Sequence, residues 1–286
     1  MSAVAQTGRP TELVTVKGPA ALGGDFRRFV SLTWLLATTE FKLRFFGSAL
    51  GYLWQLARPL LLFAVLYAVF TEIVKFGASA VPHYPVYLLI GIVLFTAFAE
   101  ATAGSVQSVV QRENLVRKIQ FPRMVIPLSV VLTASFNLCL NLVVVFVFVL
   151  GSGIGPQLSW LEVPLILIPL LLLSSGVAML LSALYVRYRD VGPIWEVGLQ
   201  LIFYGTPIFY AIQTIPPHLR SVVMLNPLAV LIEQMRHAVI GAGSPSALQA
   251  VGSVPRLLVP MALLLFVFAL GFWVFNREAP RVAEDL

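Results

Sequence analysis

The sequence predicts an all-α polytopic membrane protein: six transmembrane helices, preceded by an amphipathic interface helix, with a re-entrant outer hairpin before the last span. Three observations predict it. Six apolar stretches, at about 50–74, 86–110, 124–150, 163–185, 193–213 and 257–275, are each near the ~20 residues a helix needs to cross hydrocarbon. Hydrophobic residues make up 59% of the chain and charged residues 11%, with a mean hydropathy of +0.91, whereas a soluble domain carries about 25% charged residues. Finally, the connecting segments alternate between Lys/Arg-rich and Lys/Arg-poor, the pattern by which loops set membrane orientation.

Residues 1–24 are polar, contain Gly and Pro, and lack the basic start and the roughly 7–15-residue apolar core of a secretory signal. They read as a cytoplasmic tail. Over 25–46, Phe26, Val30, Trp34, Ala37, Phe41 and Phe45 recur at three- or four-residue spacing while Arg27, Ser31, Thr38 and Lys42 take another face. That is an amphipathic helix lying along the inner membrane surface. Residues 47–286 form a single transmembrane domain. Gly47 and Gly51 let the chain turn into the first span, where Trp54 sits at interfacial depth, Arg58 can snorkel to the headgroups and Pro59 kinks the helix near its start. Trp54 and Arg58 read equally as lipid anchors or as an entrance where a cation meets a lipid phosphate.

Within the second span Glu100 is costly unless paired, neutralised or wetted, and no second acid at similar depth offers a proton relay. The segment 111–123, QRENLVRKIQFPR, is too polar for the bilayer. It sets Leu115, Val116 and Ile119 beside Arg112, Arg117 and Lys118 and ends at Phe121, Pro122 and Arg123, which predicts a short exposed helix stopped by the Phe-Pro pair. It reads as a solvated loop or as a docking helix for a cytoplasmic partner. In the third span Asn137 and Asn141 share a face four residues apart, suited to joining helices or lining a path.

The fifth span carries a polar and aromatic face, Glu196, Gln200 and Tyr204, followed by Pro207, Phe209 and Tyr210. Against lipid such a face is unfavourable. Lining a conduit accounts for it, because Tyr offers a ring to sugar C–H faces and a hydroxyl to sugar oxygens; interhelical hydrogen bonding is the other reading. From 214 to 241 the apolar runs are too short to span, and Asn226-Pro227 breaks them into a hairpin dipping back into the membrane. That hairpin would form an outer gate or a peripheral cap, with Glu233 able to pair with Arg236 or His237 on one helix face.

If the N-terminus is cytoplasmic, fifteen of the nineteen Lys and Arg residues lie inside, and only Lys75, Arg220, Arg236 and Arg256 lie outside. An even number of spans returns the C-terminus to the cytoplasm. The net charge of +6 is therefore a topology signal, spread over short loops, and no nucleic-acid surface. The lone Cys139 excludes disulfides and a cysteine metal site, and no phosphate-binding loop, nucleophile elbow or H-E-x-x-H pair occurs. No metal site and no catalytic centre are expected.

Several segments, taken in order, resemble one family. They are Leu50-Gly51-Tyr52-Leu53-Trp54 with Pro59 and Phe70; Asn114 through Arg123 with Pro127; Arg189-Asp190; Thr206-Pro207-Ile208-Phe209-Tyr210; and Asn226-Pro227 followed by Arg236. With six spans, the chain resembles the membrane permease of ABC-type exporters of lipid-linked polysaccharide, O-antigen and teichoic acid. The resemblance implies a homodimer whose interface helices match 25–46 and whose coupling helices, matching 111–123, dock on two copies of a separate nucleotide-binding ATPase. That partner, and not this chain, would bind ATP and Mg. The cargo implied is a polyprenyl-pyrophosphate-linked glycan moving between subunits in the cytoplasmic membrane, in contact with membrane lipid. A permease for a small hydrophobic drug, or a polytopic transferase acting on lipid-linked sugars, are the alternative readings. A transferase would need clustered interfacial acids, and the acids here are dispersed.

Overall fold

The computed structural model describes residues 25–45, 51–74, 81–118 and 121–278, and among these every regular element is helical. The predicted tail 1–24 lies outside the described residues, as do Phe46, Gly47 and Leu50. Helix α1 spans Phe26–Phe45, and α2 spans Gly51–Ala68, continuing through Pro59 into a π-helical turn at Val69–Ile73. Then come α3 (Tyr84–Val106), two short helices, α4 (Ser108–Gln111) and α5 (Glu113–Lys118), and α6 (Val125–Gly151). A 3-10 turn at Leu158–Leu161 leads into α7 (Glu162–Arg187) and α8 (Val191–Gly205). The last part comprises α9 (Pro217–Val223), α10 (Pro227–Ile240), α11 (Ala247–Val251) and α12 (Val254–Glu278).

Five of these stretches are long and apolar enough to cross a membrane: Leu53–Ile73, Tyr84–Val106, Val125–Gly151, Leu158–Arg187 and Val254–Glu278. The predicted fifth span is interrupted. Helix α8 stops after 15 residues, about 22 Å of rise at 1.5 Å per residue against a hydrocarbon core of about 30 Å. The cause is local: Pro207 disfavours helical backbone at the residue before it, and Thr206 is extended, with ψ of 140°. Hydropathy continues past the break, which is why the apolar run to 213 looked like one helix. The second span likewise ends at Val106 and not at 110.

Helix α3 is the hub. It packs on α6, α7, α2 and α10, and 72% of its apolar window is buried within the chain, against 6% for the first apolar span. Helix α12 lies along α7 and crosses it where Gly176 meets Gly271, so closely that a Cβ built on Gly176 would stand 2.6 Å from the Cα of Phe268. Small residues at such crossings let helix backbones approach in lipid. Helix α1 packs on α6 with Phe29 and Ala37 buried, and with Phe136 edge-on to both Trp34 and Phe41. The predicted apolar face is thus divided. Phe26, Val30 and Trp34 stay exposed, as befits a helix with bundle on one side and lipid on another.

The region predicted as a hairpin holds α9 and α10. Asn226 caps α10, its side chain accepting from the Leu228 N–H at 3.0 Å, with Pro227 at the first helical position, where a missing N–H costs nothing. At the other end, Ser159 Oγ and Trp160 Nε1 donate to the carbonyls of Ala238 and Val239 at 2.7 and 3.2 Å. Both ends of α10 are therefore satisfied inside an otherwise apolar packing, as buried helix termini require.

Candidate functional site

Two polar assemblies stand out against the apolar bundle. The first is a cleft of about 970 Å³ between α1, α2, α3 and α8, whose charged lining residues are Arg44, Arg58 and Glu100. Trp54, Gln55, Pro59, Thr96 and Leu199 complete much of its wall. Glu100 is its centre: Asn137 Nδ2 donates to Oε1 at 2.7 Å, Gln55 Nε2 donates to Oε2 at 3.1 Å, and Arg44 Nη1 pairs with Oε1. A lone intramembrane carboxylate thereby acquires the partners its desolvation demands. Three predicted residues from separate parts of the chain, Trp54, Arg58 and Glu100, come together here, and Trp54 and Arg58 remain exposed. Arg44 and Gln55 were not anticipated. The signal available for Arg44 was a cation close in sequence to the first span, facing the only acid of the second.

A second, smaller groove of about 360 Å³ adjoins the first through Arg44 and Gly104 and runs beneath α1 past Glu40, Ser108 and Gln111 to Arg112. There Arg112 pairs with Glu40 and donates to Ser129 Oγ at 3.1 Å. Burial lowers the Arg112 guanidinium from its ordinary pKa, without removing its charge near neutral pH. Glu40 and Arg44 are one helical turn apart, so a single face of α1 touches both grooves.

The predicted coupling segment divides. Helix α5 carries Leu115, Val116, Arg117 and Lys118, whereas Ile119 and the side chains of Val116, Arg117 and Lys118 lie outside what the structure describes. Phe121, Pro122 and Arg123 differ from expectation: all three are buried, with Phe121 packed among Phe29, Met124, Val125 and Ile126. They root the segment in the bundle and offer no outward surface. Arg123 is 3% exposed and its Nε and Nη1 have no hydrogen-bond partner; burial lowers its pKa.

The predicted path residues also separate. Glu196, Gln200 and Tyr204 are exposed along α8, Tyr204 at 66%, and beyond the break Phe209 joins an aromatic cluster, 5.0 Å from the Phe70 ring and 6.0 Å from that of Phe203. Tyr210 donates to the Tyr204 carbonyl at 3.1 Å. Asn137 and Asn141 are instead buried inside the subunit, Asn137 on Glu100 and Asn141 donating to the Asn137 carbonyl at 2.9 Å. Asn137 thereby joins α6 to α3, whereas the Asn141 bond stays within α6, since a buried amide is held wherever an acceptor lies within reach.

The second assembly is a clamp around Arg236, which is fully buried together with Glu233. Its Nε donates to the Tyr87 carbonyl at 3.0 Å, Nη1 to the Pro207 carbonyl at 2.6 Å and to Glu233 Oε1 at 2.8 Å, and Nη2 to the Ile208 carbonyl at 2.7 Å. The guanidinium also lies 3.4 Å from the centre of the Tyr87 ring, and the Tyr87 hydroxyl donates to Glu233 at 2.9 Å. Gly91 makes the room: a Cβ there would stand 2.5 Å from Nη2. Asn226 donates to Thr206 Oγ1 at 2.9 Å, fastening the start of α10 to the same break. Irregular backbone buried in an apolar bundle needs hydrogen-bond donors, and Arg236 supplies them to Pro207 and Ile208. The predicted Glu233–Arg236 pair forms, with both side chains fully buried inside the chain.

The described residues thus form a helical bundle with a charged cleft and a broken helix held by an internal cation. Residues 31–240 match the ABC-2 type transporter family, and the chain belongs to that family. It is 34% identical over 203 residues to an O-antigen export system permease protein RfbA of Klebsiella pneumoniae, covering 71% of this chain and 77% of the relative. A second RfbA of K. pneumoniae is 32% identical over 257 residues, 88% of this chain and 93% of the relative. More distant is the polysialic acid transport protein KpsM of Escherichia coli, 22% identical over 206 residues, 70% of this chain and 78% of the relative.

Proposed function

We infer that the chain is the channel-forming membrane subunit of an ATP-driven exporter that moves a lipid-linked cell-envelope polysaccharide, of the O-antigen, teichoic acid or wall galactan type, across the cytoplasmic membrane. The observation that carries this reading is the similarity to O-antigen export permeases over nearly the whole length of both chains. The subunit works as a homodimer, with α2 and α8, each with a single buried residue among those described, turned toward the second copy and the cargo path. Glu196, Gln200, Tyr204, Phe209 and Tyr210 contribute the polar and aromatic wall. The glycan travels on a polyprenyl pyrophosphate that enters from the inner leaflet past Trp54 and Arg58. Both termini are cytoplasmic, α8 and the break after it complete a sixth crossing, and the α9–α10 hairpin re-enters from the outer side.

ATP and Mg are bound by two copies of a partner ATPase that dock on α5. Energy reaches the cleft mechanically, since the Glu40–Arg112 pair ties α1 to the root of the docking segment. Replacing Arg117 and Lys118 together with Ala is expected to leave membrane insertion and dimer yield intact while export falls at least tenfold at undiminished ATP hydrolysis. Full export by that variant would remove the docking assignment.

The whole reading is tested by purifying the tagged chain in mild detergent and by deleting its gene. A stoichiometric ATPase with two copies of each subunit, and polyprenyl-linked glycan trapped in the cytoplasm of the deletion strain, are the expected results. Unchanged surface glycan together with altered drug sensitivity would instead identify a small-molecule exporter.

A further inference from the structure

We propose that the cleft is a phosphate-binding site for the lipid pyrophosphate headgroup, in which Arg44 exchanges its bond to Glu100 for the incoming phosphate. The inference rests on the entrance reading above and adds to it a residue, Arg44, and an internal competitor, Glu100. Arg44 and Arg58 come from different helices and line one cleft with a single carboxylate among its described walls. The two cations therefore exceed the acid by one charge, and the cleft favours an anion. Arg44 is 42% exposed although paired, while Glu100 is 19% exposed, so the cation is the partner able to move.

Glu100 can release it without being left bare. Asn137 still donates to Oε1 at 2.7 Å and Gln55 to Oε2 at 3.1 Å. The freed guanidinium offers a planar set of donors that matches phosphate oxygens, and two negative charges attract it more than the one of Glu100. Depth agrees. Glu100 lies six residues before the end of α3 and Arg58 seven after the start of α2, roughly 9 and 10 Å along each helix, so both lie toward the same end of the bundle. Thr96, Ala99, Ala103 and Gly104 leave an uncrowded floor on α3 for the first units of a lipid tail, and Trp54 stands at the rim.

The test uses the full chain in nanodiscs of zwitterionic lipid, with geranylgeranyl pyrophosphate and inorganic pyrophosphate as probes and thermal unfolding as the control for each variant. Glu100→Gln, nearly isosteric, is expected to tighten binding of the lipid pyrophosphate at least about tenfold, since it removes a charge that competes at contact distance. Arg44→Ala in that background should abolish the gain, and Arg44→Lys should keep part of it. Arg58→Ala should weaken binding in either background. Unchanged or weaker binding by Glu100→Gln, with Arg58→Ala still harmful, would overturn the exchange and leave the entrance standing. Indifference to all of these variants would remove the entrance as well. Equal affinity for inorganic pyrophosphate would overturn the assignment to a lipid headgroup and leave a simple anion site.

Discussion

Arg236→Ala is expected to destabilise the protein by about 3–5 kcal/mol, the range for stranding one member of a buried ion pair, and to lower its thermal midpoint in detergent accordingly. The loss exceeds that of a surface pair because the guanidinium serves several acceptors at once. Without it Glu233 keeps only the Tyr87 hydroxyl, and the carbonyls of Tyr87, Pro207 and Ile208 lose a donor in a setting where water does not replace it. A double variant separates these contributions. Replacing both charges, Arg236→Met with Glu233→Met, removes the stranded carboxylate, and such swaps are often neutral where the pair serves only itself. Here the double variant should recover part of the loss and no more. Full recovery would show that the three carbonyls find other partners. Gly91→Ala should reproduce a milder form of the defect by pressing on Nη2.

Gly271→Ala is expected to force α7 and α12 apart. A Cβ at Gly271 would run into the Gly176 carbonyl, and one at Gly176 would meet the Phe268 backbone, so neither can be relieved by turning a side chain. Overpacking costs about 1–3 kcal/mol where side chains can shift, and backbone overlap places Gly271→Ala at or above the upper end. Gly151 is the internal control, because a Cβ there meets nothing within 4 Å. Gly151→Ala should stay within about 0.5 kcal/mol of the parent, as for ordinary surface changes. Equal stability of both variants would mean that the crossing is looser than drawn.

What hydropathy reports, the sequence made legible: α2, α3, α6, α7 and α12 lie where apolar length predicted. The Glu233–Arg236 pair was readable because three residues on a helix bring side chains to one face. The destination of that pair was not. Counting Arg236 as an outer-loop cation hid it, since its acceptors lie on α3 and on the Thr206–Ala211 break, more than 25 residues away along the chain. The early end of α8 was missed for a related reason. Thr206-Pro207-Ile208-Phe209 is as apolar as a helix interior, and only the conformational constraint of Pro207 marks the stop. Phe121 reads as part of an exposed loop because its burial cluster includes Phe29 of α1 and Met179 of α7, elements distant in sequence.

The clamp also constrains the order in which the chain can be built into the membrane. Helix α10 has a charged pair at its middle, and an arginine entering lipid alone is unfavourable by about 2.5–3.5 kcal/mol at a helix centre. Its acceptors are carried by α3 and by the segment after α8, both of which leave the ribosome earlier. Helix α10 thus has no stable place until those elements are assembled, and it completes the bundle by docking into a vacancy already lined with carbonyls. Synthesis order and hydrogen-bond order coincide, so a chain truncated before Pro227 would leave the carbonyls of Pro207 and Ile208 without their donor.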